Sequence, residues 1–142
     1  AGGVTGGDPR TMASGKYLDD GYVLAFKLGG TAAMPRVAEK NASIPEQPAI
    51  EATAAQIDNG KYRYGGTCMV CHGALVVSGG VVPDLRMLPP EKHAIFKEIV
   101  YDGVIHGAGM PKLGDLVTEQ DVHDIHAYII MRANQDRAPA PK

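Results

Sequence analysis

Cys68-Met69-Val70-Cys71-His72 constrains this chain more than any other feature, because C-x-x-C-H is the pattern of covalent haem attachment. Two thiols three positions apart can each add to one vinyl group of the macrocycle, and the histidine that follows is placed to ligate the iron from one face. Cys68 and Cys71 are also the chain's two cysteines, so no disulfide competes for them. Two blander readings compete. Half of a zinc site would need His123 and His126 as its other half, at a separation far longer than in compact zinc modules and with no task for His72. A thioredoxin-like redox pair would need a βαβ surrounding with the first cysteine opening a helix, whereas Gly65, Gly66, Thr67 and Gly73 describe a loop.

Upstream, Gly60, Tyr64 and Cys68 fall at intervals of four, which places Gly60 and Tyr64 one helical turn apart on one face. A glycine inside a helix costs about 1 kcal/mol relative to alanine, so it marks a close approach by another element. Ile125 and Tyr128, three apart on the last helix, are the natural partners. Ile50, Ala54, Ile57 and Tyr64 give the first helix its period, and Pro89-Pro90-Glu91 opens a second helix with Ile95, Phe96, Ile99 and Val100 inward and Gly103 near its end. Thr118-x-x-Asp121 reads as a capping box for the last helix, whose face is Val122, Ile125, Ile129 and Ala133. Before these, residues 1–14 read as irregular. Tyr22-Val23-Leu24-Ala25-Phe26-Lys27-Leu28, bounded by Asp20-Gly21 and Gly29-Gly30, predicts a strand that Lys16-Tyr17-Leu18 would pair as a hairpin. Pro35, Pro45 and Pro48 mark residues 31–49 as a semi-rigid linker. The tail from Gln135 is expected to be disordered.

The iron's sixth ligand decides between electron transfer and small-molecule binding. Of six methionines, Met69 lies between the cysteines, Met12 and Met34 precede the haem region, Met131 belongs to the last helix, and Met87 is close to His72. Met110, in Gly107-Ala108-Gly109-Met110-Pro111, lies in a flexible loop far enough along to reach the distal side. His106 in the same loop, or an open site, are the alternatives.

Gly60-x-x-x-Tyr64-x-x-x-Cys68-x-x-Cys71-His72 closely resembles the class I cytochrome c pattern, and Gly109-Met110-Pro111 resembles that family's axial-methionine loop. The resemblance implies an all-α fold of three main helices around one covalent haem c, here with a short β-strand or hairpin in an N-terminal extension. It implies that the carbonyl of Pro83 holds the second ring nitrogen of His72, the alternative being that Pro83 is a plain turn residue. Arg86 is either a partner for a haem propionate, since guanidinium matches carboxylate bidentately, or a solvated surface charge.

The stretch from Leu18 to Asn134, with the Phe26-Lys27-Leu28-Gly29-Gly30 junction, further resembles the end of the propeller, the linker and the cytochrome domain of quinohaemoprotein alcohol dehydrogenases. On that resemblance the chain divides into a propeller-end extension (1–30), a linker (31–49), a cytochrome c domain (50–134) and a tail (135–142). The propeller that would hold pyrroloquinoline quinone (PQQ), calcium and the catalytic aspartate is absent, so no catalytic residue is assigned. The expected function is one-electron transfer from a PQQ-dehydrogenase domain to a small copper protein, another cytochrome or the respiratory chain. A free-standing carrier, or a haem-based gas sensor or peroxidase, is the rival.

With 14 Lys and Arg against 16 Asp and Glu, the net charge of −2 gives no basic field for nucleic acid. No apolar run suits a membrane span or a signal-peptide core. Because haem attachment in similar systems follows export, the expected location is the periplasm, the sequence reading as a mature form.

Overall fold

The computed structural model describes residues 25–31, 33, 43–78 and 82–137, and every regular element among them is helical. The chain builds α1 (Ala54–Thr67), a four-residue continuation α2 (Met69–His72), α3 (Pro90–Ala94) and α4 (Glu119–Arg137). Short 3-10 turns at Ala74–Val76, Leu85–Met87 and His106–Ala108 link them, with a π-helical turn at Glu98–Asp102.

Both long helices start on reciprocal caps. Thr53 Oγ1 accepts the Gln56 N–H while Gln56 Oε1 accepts the Thr53 N–H, so α1 begins four residues after Ile50. At α4 the predicted box forms: Thr118 Oγ1 accepts from the Asp121 N–H (3.1 Å), and Asp121 Oδ2 accepts from the Thr118 N–H (3.0 Å). Each box satisfies two of the amide groups a helix start leaves unpaired.

α1 and α4 cross at Gly60. A Cβ there would lie 1.9 Å from the Asp124 carbonyl oxygen and 3.0 Å from the Ile125 amide nitrogen, both backbone atoms. One turn on, the Tyr64 and Tyr128 rings meet at 5.5 Å, tilted by 57°. On the outer side of the crossing Asn59 Nδ2 donates to Asp121 Oδ1 (3.2 Å) and Asp124 Oδ2 (2.8 Å). Arg63 adds an ion pair to Asp121. Burial works against both carboxylates, but these donors and the Thr118 and Gln120 bonds outweigh it and hold them below the usual range. The core between the helices is formed by Tyr64, Val76, Val122, Ile125 and Ile129.

Several sequence expectations are corrected. The glycines at 65 and 66 do not open a loop but lie inside α1, exposed, with no neighbour crowding them. The middle helix is not continuous: it breaks at Ile95 (φ −116°, ψ 27°), resumes, and widens into the π turn that Gly103 ends in the left-handed region at φ 75°. Phe96, Ile99 and Val100 are buried, but the break turns Ile95 outward, where a 3.6-residue period alone would have pointed it in. α4 runs on to Arg137, past the expected start of the tail at 135. Of the predicted strand, Tyr22–Leu24 and its hairpin partner lie outside the described residues. Ala25–Lys27 is irregular, Leu28-Gly29 is a turn closed by the Gly30 N–H on the Lys27 carbonyl (2.9 Å), and Phe26 and Leu28 are exposed. A strand needs a neighbour for its N–H and C=O groups, and among the described residues this segment has none. The described end of the linker packs onto the domain, where Gln47 Nε2 donates to the Arg86 carbonyl (3.2 Å).

A second pairing joins α3 to α4. His93 Nδ1 and His126 Nε2 share a hydrogen bond of 2.8 Å, and the His126 ring stacks flat on Phe96 at 4.2 Å. Burial, reinforced by His93 and His123, pushes His126 down to about 4, and burial also lowers His93.

Two expected outcomes follow from this packing. Gly60→Ala should destabilise the protein by about 3 kcal/mol in urea unfolding despite alanine's better helix propensity, whereas Gly65→Ala should stabilise it by about 0.5–1 kcal/mol. A neutral effect at Gly60 would refute the close crossing. Because native His126 binds a proton less readily than the unfolded chain, stability should fall as pH drops from about 6.5 towards about 4. Each unit of the depression corresponds to about 1.4 kcal/mol. Urea midpoints across that window should show a shallower slope in His126→Gln.

Candidate functional site

α1 ends directly in the cysteine motif. The Cys68 N–H bonds the Tyr64 carbonyl (2.9 Å), the His72 N–H bonds the Cys68 carbonyl (2.9 Å), and the Gly73 N–H bonds the Met69 carbonyl (2.9 Å). This almost unbroken helical path puts Cys68, Cys71 and His72 on one side, since positions three and four apart share a face. Cys68 is buried, Cys71 exposed, and both are free thiols. Burial pushes the Cys68 thiol up, with the Thr67 hydroxyl at 3.3 Å partly offsetting it.

Gly73 turns the chain away from the motif at φ 79°, and a Cβ there would strike the Val77 carbonyl oxygen at 2.0 Å. Leu75 (φ 54°) and Val76 (φ 66°) follow, also in the left-handed region. Positive φ in a β-branched valine is rare and costly, and it occurs four residues from His72. The Tyr64 hydroxyl donates to the Gly73 carbonyl at 2.8 Å. Burial raises the Tyr64 pKa far above neutrality, so that donor is kept across the working pH range.

His72 is buried, and its Nδ1 lies 2.9 Å from the Pro83 carbonyl oxygen. A carbonyl only accepts, so Nδ1 carries the proton and Nε2 keeps its lone pair for a metal. Cys68, His72 and Pro83 line a cavity of about 430 Å³ together with Met87, Phe96 and Met110. The rest of its wall is mainly Leu, Ile and Val from the 85–88 turn, the π turn and α4. An apolar space with a metal-ready imidazole and thioether sulfurs suits a macrocycle bearing a soft-ligand iron, so the residues present fit haem c.

Met110 reaches this cavity from the loop behind Gly109, which adopts φ 98°. Met87, set aside in sequence for its closeness to His72, also lines it. His106 does not; its Nδ1 bonds the Gly103 carbonyl at 3.1 Å, and its side chain is exposed. Arg86 is absent from the cavity wall and is not a solvated charge either. It forks onto Asp84 (Nε 3.0 Å, Nη2 2.6 Å) and reaches Asp136 with Nη1 (2.9 Å). The zinc alternative fails on placement: His126 packs on His93 and Phe96, and no group of three or more His, Cys, Asp or Glu among the described residues is arranged for a metal ion. Asp84 and Phe96 also line the cavity; the sequence marks Phe96 only as an inward-facing residue of the middle helix, and Asp84 as the acidic cap of the 3-10 turn that follows it.

Residues 55–129, a little over half of the chain, match the family model described as "Cytochrome C oxidase, cbb3-type, subunit III". Quinohemoprotein alcohol dehydrogenase ADH-IIG of Pseudomonas putida is 45% identical over 112 residues, covering 79% of this chain and 15% of that protein. The dehydrogenase subunit of the quinone-type alcohol dehydrogenase of Acetobacter aceti is 32% identical, covering 91% of this chain and 17% of that one. Cytochrome c550 of Pseudomonas aeruginosa is 34% identical over 77 residues, 51% of this chain and 53% of its own. A solved structure of ADHIIG from P. putida HK5 superposes with a TM-score of 0.61 at 44% identity, over 76% of this chain and 16% of that one. The chain thus spans about 15–19% of the dehydrogenases it resembles. No helix among the described residues is long and apolar enough to cross a membrane. With the haem motif, the cavity beside it and the matched segment coinciding, the chain belongs to the c-type cytochrome domain family that this model describes, and serves haem-based electron transfer rather than substrate catalysis.

Proposed function

We propose that Cys68 and Cys71 bind the haem by thioether bonds, that His72 Nε2 and Met110 Sδ supply its two axial ligands, and that the domain relays single electrons from a PQQ-dependent alcohol dehydrogenase domain to an external acceptor. The observation that carries this is one cavity lined by Cys68, His72 and Met110, with the Pro83 carbonyl 2.9 Å from His72 Nδ1. When bound, haem c supplies a one-electron iron couple. The chain's own residues orient the imidazole, keep water from the cavity with apolar side chains, and present a soft sulfur that favours the ferrous state. Pro83 serves as the proximal acceptor. Arg86 serves as a brace, because its three contacting nitrogens are already taken by Asp84 and Asp136.

The donor assignment rests on the dehydrogenase relatives, which extend well beyond the matched segment. PQQ and calcium would be held by the dehydrogenase region. A small copper protein, a cytochrome or a respiratory-chain component, met in the periplasm, would take the electron onward.

Absorption spectra of the oxidised and dithionite-reduced protein, with carbon monoxide added to the latter, test the ligand set. The expected result is a low-spin c-type spectrum with the weak far-red sulfur-to-iron band and no response to carbon monoxide. Met110→Ala should abolish the far-red band and admit carbon monoxide, while Met87→Ala leaves both unchanged; the reverse pattern would make Met87 the ligand. Adding a primary alcohol to the native full-length protein should reduce the haem without a mediator. Failure there, with a normal ligand set, would favour a free-standing carrier.

A further inference from the structure

The Pro83 carbonyl belongs to the planar peptide that joins Pro83 to Asp84, so whatever fixes Asp84 also fixes the acceptor on His72. Proline's ring removes most of the remaining freedom on the other side. Asp84 is held in turn by the Arg86 fork, and its Oδ1 also caps the Arg86 N–H at 3.1 Å. The outward-going nitrogen of Arg86 meets Asp136, fifty residues on, whose two oxygens accept from Arg132 Nη2 at 2.8 and 3.0 Å. Asp84, Arg86, Asp136 and Arg132 thus form one chain of alternating charge with side chains 6–18% exposed. Arg132 also points Nε at the Leu75 carbonyl, in the strained turn after His72, at a long 3.5 Å.

Two carboxylates and two guanidiniums cancel, which is the condition under which buried charges are tolerated. Removing one member leaves an uncompensated charge that the structure must move to accommodate.

We propose that Asp136 and Arg132, at the C-terminal end of α4, are positioning residues for the axial imidazole, acting through Arg86 and Asp84 to hold the Pro83 carbonyl on His72 Nδ1. The inference rests on His72 being the iron ligand. That bond makes the imidazole a stronger donor to the iron, so the end of the last helix sets part of the haem's reduction potential without touching it.

Arg86→Lys is the cleanest probe, since it keeps the charge but cannot fork onto Asp84. In the haem-loaded protein it should speed hydrogen exchange at His72 Nδ1 by about tenfold and raise the potential, with the low-spin spectrum retained. Asp136→Asn should do the same to the exchange rate, and Asp136→Glu should restore it in part. Asp124→Asn, which loosens the α1–α4 clamp instead, should lower stability and leave the exchange rate alone. If Arg86→Lys and Asp136→Asn lower stability with Nδ1 exchange unchanged, the network is structural and the proposal is wrong. Should Asp136→Asn fail to accumulate, Arg86→Lys alone decides. If the wild-type spectrum shows that His72 is not a ligand, the ligand assignment of the proposed function fails instead, an outcome visible before any variant is made.

Discussion

The structure depends on the absence of one methyl group. At Gly60 the backbone of α1 approaches the backbone of α4 so closely that any side chain would overlap the Asp124 carbonyl. The glycine's cost to helix propensity is accepted because the approach lets Tyr64 and Tyr128 close over the crossing and lets Asn59 bridge two carboxylates on its rim. Everything chemical is measured from this point. α1 leads from Gly60 through Tyr64 to Cys68 at one residue per hydrogen bond, and α4 supplies Ile129 to the cavity wall. Shifting the crossing by the width of a methyl would move the cysteines and that wall relative to each other.

Charge is used inside this fold in two different ways. The Asp121–Asp124 cluster sits over the crossing and is satisfied mostly by neutral donors, Asn59, Gln120 and Thr118, with Arg63 as a half-exposed partner. Such a cluster adds stability but conveys little, because neutral amides adjust easily. The chain from Asp84 to Arg132 instead uses rigid guanidinium forks in a partly buried place, where water relieves a misfit less easily. The first arrangement suits a clamp and the second suits the transmission of position.

Most of what could be read from the residues lies close along the chain, the exceptions being Tyr128 as the partner of Tyr64 and Met110 as a neighbour of the His72 cavity. The C-x-x-C-H motif, the Gly60–Tyr64 spacing, the Thr118–Asp121 box and the face of α4 each involve residues within about three helical turns, and each is present. The misreadings share a cause as well. Gly65 and Gly66 suggested a loop, yet propensity is a weak prior beside a helix already nucleated by a cap and a crossing. The break at Ile95 and the π turn after it defeat any argument from a 3.6-residue period. The hydrophobic run around Phe26 has strand composition, but its described part, from Ala25, has no neighbouring strand among the described residues. His93 with His126, and Arg86 with Asp136, are pairs separated by 33 and 50 residues, and no local pattern announces them.

Those two distant pairs both end on α4, which carries more than its share of the fold. Its first half meets Gly60, its middle presents His126 to Phe96 and so backs one wall of the cavity, and its last turn holds Asp136 against Arg86. About 18 Å of helix separates Asp124, at the crossing, from Asp136, so the clamp and the last turn do separate work. Through Arg86 and Asp84, the placement of Asp136 bears on how firmly the Pro83 carbonyl is held on His72. Relatives that keep the glycine and the motif but end the last helix earlier should therefore retain the fold while losing this restraint on the imidazole. In this architecture, stability resides at the beginning of α4 and tuning at its end.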